Sequence, residues 1–320
     1  MKRKNLLRLV LLFCLLMFIS DSTFANDITV SNLSLTGQNI TEHYTFVKFD
    51  ISWENSWRTS SAPNNWDAAW VFVKYRIDGG EWQHAWLNDE GHINPTGSTI
   101  AVGLLKPDSA FNPTTNPGMG AFIYRDTDGT GTFSGTGVQL RWNHGDNGVN
   151  DNEIADIRVY AIELVYIPQG SFDAGSGGAE GSAFYKYPTT TNPYQISSED
   201  EISVGTANDN LYYNYTTYGG DQLGPVPATF PKGYNAFYCM KYEISQQGYV
   251  DFLNSLTQPQ ANARKYSGNT YRYAITGSTV GSYATTNPYV ACNNLYYKRD
   301  KTVHFINAQK YHFDLITMNC

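Results

Sequence analysis

The stretch YTFVKFDISW, residues 44–53, alternates apolar and polar side chains at every second position. Its apolar face carries Val47, Phe49, Ile51 and Trp53, and its polar face carries Lys48, Asp50 and Ser52. Successive side chains of a β-strand point to opposite faces of the sheet, so this pattern predicts a strand with one face in a core. An antiparallel sheet packed on one side is the usual setting for such a strand.

The same pattern recurs on both sides of this stretch. Residues 69–77 alternate in the same way, and Asp78-Gly79-Gly80 then predicts a turn into a second strand at 81–87, forming a hairpin. Further short strands are predicted at 28–35, 98–104, 120–125, 137–143 and 156–166. Many short strands with turns between them and no helical period predict an N-terminal antiparallel β-sandwich over residues 26–160.

The first 25 residues have the layout of a secretory signal. Four basic residues, Lys2, Arg3, Lys4 and Arg8, precede an apolar run from Leu9 to Ile19, and Ala25 offers a small residue at which to cleave. We therefore expect residues 1–25 to be removed and the protein to be exported, to the periplasm, the outer cell surface or the medium. The apolar run is shorter than the roughly 20 residues that span a bilayer, which predicts no transmembrane anchor.

The charge balance argues against nucleic acid as a partner. The chain carries a formal net charge of -7, and removal of residues 1–25, which contribute +3, leaves -10. An acidic chain without a basic stripe lacks the electrostatic footprint of nucleic-acid binding. Charged residues make up 16% and aromatic residues 15% of the chain, a composition that favours a folded protein over a disordered one.

Residues 161–293 have a different character, rich in Gly, Ser, Thr and Asn. One segment predicts a helix, because Ser245 is a good N-cap and Tyr249, Phe252, Leu253 and Leu256 recur at helical spacing. Of the 24 tyrosines, 18 lie between residues 185 and 297. Tyrosines suit a carbohydrate-binding surface, but they also fill half-buried sheets. The sequence leaves both interpretations open.

Two acidic loops are candidate cation sites. Asp126 and Asp128 in DTDGTG, residues 126–131, could direct two carboxylates at one calcium ion. The twelfth position, where a hand-type calcium loop has a bidentate acid, is Gly137, so a simple Asp/Gly hairpin turn is the alternative. The loop at residues 146–153 is a second acidic candidate with the same two interpretations.

Two segments resemble the formylglycine-generating enzyme family, the sulfatase-modifying factors and their secreted bacterial relatives. LVYIPQGSFDAG, residues 164–175, is similar to the family's opening strand, M-V-x-I-P-x-G-x-F-x-M-G, with Ala174 in place of the usual Met. FYCMKYEIS, residues 237–245, is similar to its F-x-x-x-x-Y-E-V-T strand and the helix that follows. The resemblance implies an α+β C-type-lectin-like domain over residues 161–293 and oxygen-dependent oxidation of a substrate cysteine. It also implies copper and calcium as cofactors and a protein substrate as partner.

The resemblance stops at residue 293. The family's S-W-x-D-A and R-L-P-T-E-A-E-W-E segments do not follow PYVACN, residues 288–293. We therefore expect an incomplete domain, an atypical tail at 294–320 that marks a truncation or a reading-frame shift, and a chain inactive in that chemistry. Cys239 and Cys292 do not stand at the family's catalytic positions and are predicted to be structural thiols. The alternative function is a secreted or cell-surface module that binds a glycan or a protein.

Overall fold

The computed structural model describes residues 28–106, 109–178, 184–189, 191–213, 224–293 and 306–307. The predicted signal and all of the predicted tail except Ile306–Asn307 lie outside the described residues, as does Cys320. The described part is mostly antiparallel β-sheet with two short helices, which confirms the β-rich prediction. No helix in these ranges is long and apolar enough to cross a membrane.

The strands follow one another closely in the first half and become short in the second. The long strands are β1 (Thr29–Asn39), β2 (Tyr44–Arg58), β3 (Trp66–Ile77), β5 (Ser98–Leu104), β6 (Gly118–Arg125), β7 (Gly129–Trp142) and β8 (Ala155–Ile167). The short ones are β4 (Gln83–His84), β9 (Phe172–Ala174), β10 (Phe184–Lys186), β11 (Tyr194–Ile196), β12 (Leu211–Tyr213), β13 (Phe237–Met240), β14 (Ile275–Thr276), β15 (Ala284–Thr285) and β16 (Ile306–Asn307). The helices are α1 (Gln246–Leu253) and α2 (Gln258–Arg264).

The main sheet turns over on itself to make two layers. In one layer β2 pairs with β1 and β7; in the other β3 pairs with β8 and β6, and β6 pairs with β5. The layers join where Arg58 of β2 faces Trp66 of β3. The predicted apolar faces of β2 and β3 meet between the layers in one core, which includes Val47, Phe49, Ile51, Trp53, Ala69, Val71, Val73 and Tyr75.

Strand β3 is buried on both faces. Its outer face carries Trp70, which packs with Phe122 of β6 and Tyr238 of β13 in a second cluster. The rings of Phe122 and Tyr238 stack with centroids 4.2 Å apart. A side chain on Gly120 would place its Cβ 2.5 Å from Trp70 Cζ2, so this close approach of β6 to β3 requires glycine.

Strand β8 links the two predicted domains. It runs through residue 160 and pairs on its far side with β13, with Phe237 opposite Ile167 and Met240 opposite Leu164. β13 in turn pairs with β16. The polypeptide after residue 160 therefore adds strands to the sheet of the sandwich.

Helix α1 begins where the sequence predicted and ends three residues early. The Ser245 hydroxyl accepts a hydrogen bond from the Gly248 amide at 3.1 Å, and Tyr249 and Leu253 enter a third core with Tyr273 and Cys292. The helix was expected to reach residue 256 but stops before Asn254. The side chain of Asn254 instead holds the loop at residues 281–283.

Candidate functional site

A cleft of about 390 Å³ lies between the sandwich and helix α1. Its lining comes from β1, β8, α1 and one loop, and includes Val30, Leu33, Arg158, Val159, Tyr160, Asp251, Asn254 and Gly281. Clefts between packed units are common ligand sites when apolar walls carry a few converging polar groups. This cleft has both components.

Tyr160 supplies a polar group from the sheet. Its ring stacks on Phe72 of β3, with centroids 5.1 Å apart and planes 14° apart, which fixes the direction of the side chain. Its hydroxyl is shielded from solvent and lies beside Arg158 and Ser255. Burial raises the pKa of Tyr160 above its ordinary value, although hydrogen bonding to Arg158 and Ser255 opposes the effect. The phenol is therefore neutral.

Helix α1 supplies the opposite wall. Asp251 lies at the exposed rim, and its Oδ1 accepts a hydrogen bond from Gln247 Nε2 at 2.8 Å. Partial burial of the carboxyl raises the pKa of Asp251. The hydrogen bond from Gln247 and the positive charge of Arg158 act in the opposite direction. Asn254, one turn later, donates to the Tyr283 carbonyl at 2.9 Å and accepts from the Gly281 amide at 2.8 Å. These bonds hold the wall in place.

The side chains around the cleft include hydrogen-bond donors, hydrogen-bond acceptors and apolar groups. Arg158 donates hydrogen bonds and the Asp251 carboxylate accepts them, while Tyr160 contributes its ring to the wall. Val30 and Leu33 of β1 add an apolar wall. A small ligand with several hydroxyls and apolar C–H faces fits this set.

The predicted calcium residues lie elsewhere, in the turn between β6 and β7. Asp128 Oδ2 accepts a hydrogen bond from Ser60 Oγ at 2.7 Å, and the backbone and side chain of Ser60 lower the pKa of Asp128. The Asp126 amide donates to the Gly97 carbonyl at 3.2 Å. The turn does not close a hairpin, because β6 and β7 pair with different strands. It crosses from one layer to the other, and calcium at Asp126 and Asp128 stays a prediction.

The second acidic loop is tied into the sandwich by its own side chains. Asn147 Oδ1 accepts hydrogen bonds from the Trp86 amide at 2.9 Å and from Trp142 Nε1 at 2.7 Å. Asp151 Oδ2 lies 2.9 Å from His43 Nδ1. Within the described ranges, no group of three or more His, Cys, Asp or Glu side chains is arranged to hold a metal ion.

The two cysteines among the described residues lie in different parts of the fold. Cys239 stands on β13 opposite Val165, Cys292 lies in the core around α1, and both are free. Partial desolvation raises the pKa of Cys239, and burial raises the pKa of Cys292 to about 11. Copper binds thiolates, so these thiols do not fit the paired copper site that the family resemblance implies. Their structural role stays a prediction.

Comparisons with protein-family models, with curated proteins and with solved structures found no match for this chain. The case for function therefore depends on the site itself. Sequence reasoning did not single out Arg158, Tyr160 or Asp251, although it predicted the strand and the helix that carry them. The one available signal was Asp251 on the polar face of the predicted helix, and solvated helix faces commonly carry such residues.

Proposed function

We propose that this chain is an exported carbohydrate-binding protein and that the cleft between β8 and α1 holds the sugar. The observation that carries the proposal is the convergence of Arg158, Tyr160 and Asp251 on one cleft whose other wall is apolar. Ligand hydroxyls would hydrogen-bond to the side chains of Arg158 and Asp251. The secretion-type N-terminus would bring the protein to extracellular glycans.

The chemistry of the cleft favours a neutral saccharide over a charged ligand. Arg158 and Asp251 carry opposite charges, so the pair offers a donor and an acceptor without a strong net field. The apolar side chains of Val30 and Leu33 match the C–H faces of a sugar ring. The acidic net charge of the chain also disfavours polyanionic ligands.

Affinity electrophoresis of the purified chain through gels containing soluble glucans, mannans or xylans tests the proposal. We expect retardation by at least one polysaccharide and weaker binding by Arg158→Gln and Asp251→Asn. Loss of one hydrogen bond corresponds to a drop in affinity of roughly fivefold. Asp209→Asn is the matched control, because the Asp209 side chain is 75% exposed and does not line the cleft. Equal retardation of Asp251→Asn and wild type would contradict the assignment.

We keep a second candidate, an incomplete member of the formylglycine-generating class with a C-type-lectin-like second domain. It is supported by the antiparallel pairing of β8 with β13, which sets the two resembling segments side by side. For this candidate we expect no aldehyde product when the chain is incubated with copper, oxygen and a sulfatase-type cysteine peptide. Aldehyde formation that Cys239→Ser or Cys292→Ser abolishes would contradict that expectation.

A further inference from the structure

Three ionisable side chains meet in the interior where the second half of the chain joins the sandwich. Lys241 directly follows β13, Glu163 lies on β8 and Asp67 lies on β3, so they come from three neighbouring strands. Lys241 Nζ lies 3.0 Å from Glu163 Oε2 and 3.2 Å from Asp67 Oδ2. The side chains are 9%, 1% and 0% exposed, respectively.

The surroundings hold the lysine against the aspartate. Nζ also donates to the carbonyl of Asn55 at 3.1 Å, and the rings of Trp57 and Tyr242 lie with their centroids 5.3 Å from it. Burial disfavours the charged amine, but Glu163 and Asp67 outweigh that effect and raise the pKa of Lys241. The resting amine is therefore an ammonium, largely shielded from water beside Glu163 and Asp67.

The aspartate is held by donors on both oxygens. Oδ1 accepts from Ser56 Oγ at 2.8 Å and from the Trp57 amide at 3.1 Å, and Oδ2 accepts from Trp53 Nε1 at 2.9 Å. Two donors on one carboxyl oxygen make a cradle for the negative charge that develops when a nucleophile adds to the carbon. The amine lies beside the other oxygen, with Nζ 3.2 Å from Oδ2.

We propose that Lys241 and Asp67 become joined by an intramolecular isopeptide bond, with Glu163 as the proton carrier. Glu163 accepts a proton from the ammonium and passes it to Oδ2 of Asp67, and the freed lone pair of Nζ adds to Cγ of the neutral acid. Ser56 and the Trp57 amide hold the oxyanion on Oδ1. The Cγ–Oδ2 bond then breaks, and the oxygen leaves as water with the two protons lost by the nitrogen. An ammonium and a carboxylate are converted into one amide and one water, without an oxidant or a cofactor.

Enclosure distinguishes this pair from ordinary ion pairs in the same protein. Lys186 Nζ and Asp209 Oδ1 are closer, at 2.7 Å, but their side chains are 46% and 75% exposed. Water solvates both charges there, which stabilises the ionised forms of the two side chains. At Lys241 the charges have left water, and conversion to an amide removes two buried charges whose desolvation is costly. The bond would close a loop between residues 174 positions apart, independently of any ligand in the cleft.

Mass spectrometry of the full chain, purified and then denatured, tests the proposal. We expect an intact mass lower by one water than the mass calculated from the sequence and the measured N-terminus. After trypsin digestion, the segments containing Asp67 and Lys241 should appear as one branched peptide, with no cleavage after Lys241. Cleavage after Lys186 in the same digest is the internal control for an exposed Lys–Asp pair.

Variants identify the reacting groups. Lys241→Met should have the full mass, and Glu163→Gln should also keep it while retaining both partners. Asp67→Asn should lose ammonia in place of water if the amine still attacks. A wild-type chain of full mass, held by an ion pair only, would overturn the proposal. Loss of water that persists in Lys241→Met would overturn it as well, because the dehydration would then lie elsewhere. The wild-type measurement decides the question even if a variant fails to fold.

Discussion

At the scale of single residues, two histidines couple the stability of the sandwich to pH. Burial lowers the pKa of His84 to about 4, helped by the positive charge of Lys74 and opposed by the Met119 carbonyl. Burial likewise lowers the pKa of His92 to about 4. In the unfolded chain both groups titrate near 6.5, so between pH 6.5 and 4 these two imidazoles gain protons in the unfolded state only.

The contribution of these two histidines to the free energy of unfolding should therefore be largest above pH 6.5 and decrease as the pH falls towards 4. A change in pKa from 6.5 to about 4 corresponds to roughly 3 kcal/mol for each imidazole. We expect His84→Gln, whose amide could still donate to the Met119 carbonyl, to flatten this fall. Urea unfolding at a series of pH values measures it, and an unchanged pH slope in His84→Gln would contradict the expectation.

At the scale of elements, the cap of helix α1 is a defined contribution to stability. The Ser245 side chain holds the Gly248 amide, and loss of such a cap costs about 1 kcal/mol. We expect Ser245→Ala to lower the free energy of unfolding by that amount and Ser245→Asp to retain it. Chemical unfolding followed by far-UV circular dichroism provides the measurement. Equal stability of the Ala and Asp variants would show that the cap contributes nothing.

The predicted and observed ends of the strands show how far the local sequence determines each element. Strand β5 was predicted with its observed bounds of 98–104, and β2, β3, β6 and β8 differ at their ends by a few residues. Strand β7 begins at Gly129, eight residues before its predicted start. The prediction missed this part of the strand because GTGTFSGT, residues 129–136, has almost no apolar alternation. Its pairing with β2, which places Phe133 opposite Trp53, fixes that part of the strand. The cleft was not predictable, because Tyr160 and Asp251 meet only after β8 and α1 pack together.

At the scale of the whole molecule, the two halves should unfold together. All seven tryptophans of the chain lie between residues 53 and 142, so the midpoint of the tryptophan-monitored transition follows the unfolding of the sandwich, although Trp66 also contacts Tyr238. Tyr238 belongs to the second half but is 3% exposed against Phe122. Removal of a buried aromatic ring costs about 3 kcal/mol. We expect Tyr238→Ala to shift the tryptophan-monitored midpoint in urea to a lower concentration.

Phe230→Ala is the matched control, since Phe230 lies in the same half and is 53% exposed. Its midpoint should stay close to that of the wild type. A tryptophan transition that Tyr238→Ala leaves unchanged would mean that the sandwich unfolds independently of the rest.

Because β3 is buried on both faces, part of its packing has to wait until residues much later in the chain have been synthesised. Phe122 leaves the ribosome 116 residues before Tyr238, the ring that stacks on it. At ordinary elongation rates that interval is on the order of 10 s. During this time the cluster formed by Trp70 of β3 and Phe122 of β6 lacks the Tyr238 ring that β13 contributes to it. A nascent chain of this protein should therefore depend on chaperones most strongly after the sandwich has emerged and before residue 238 does.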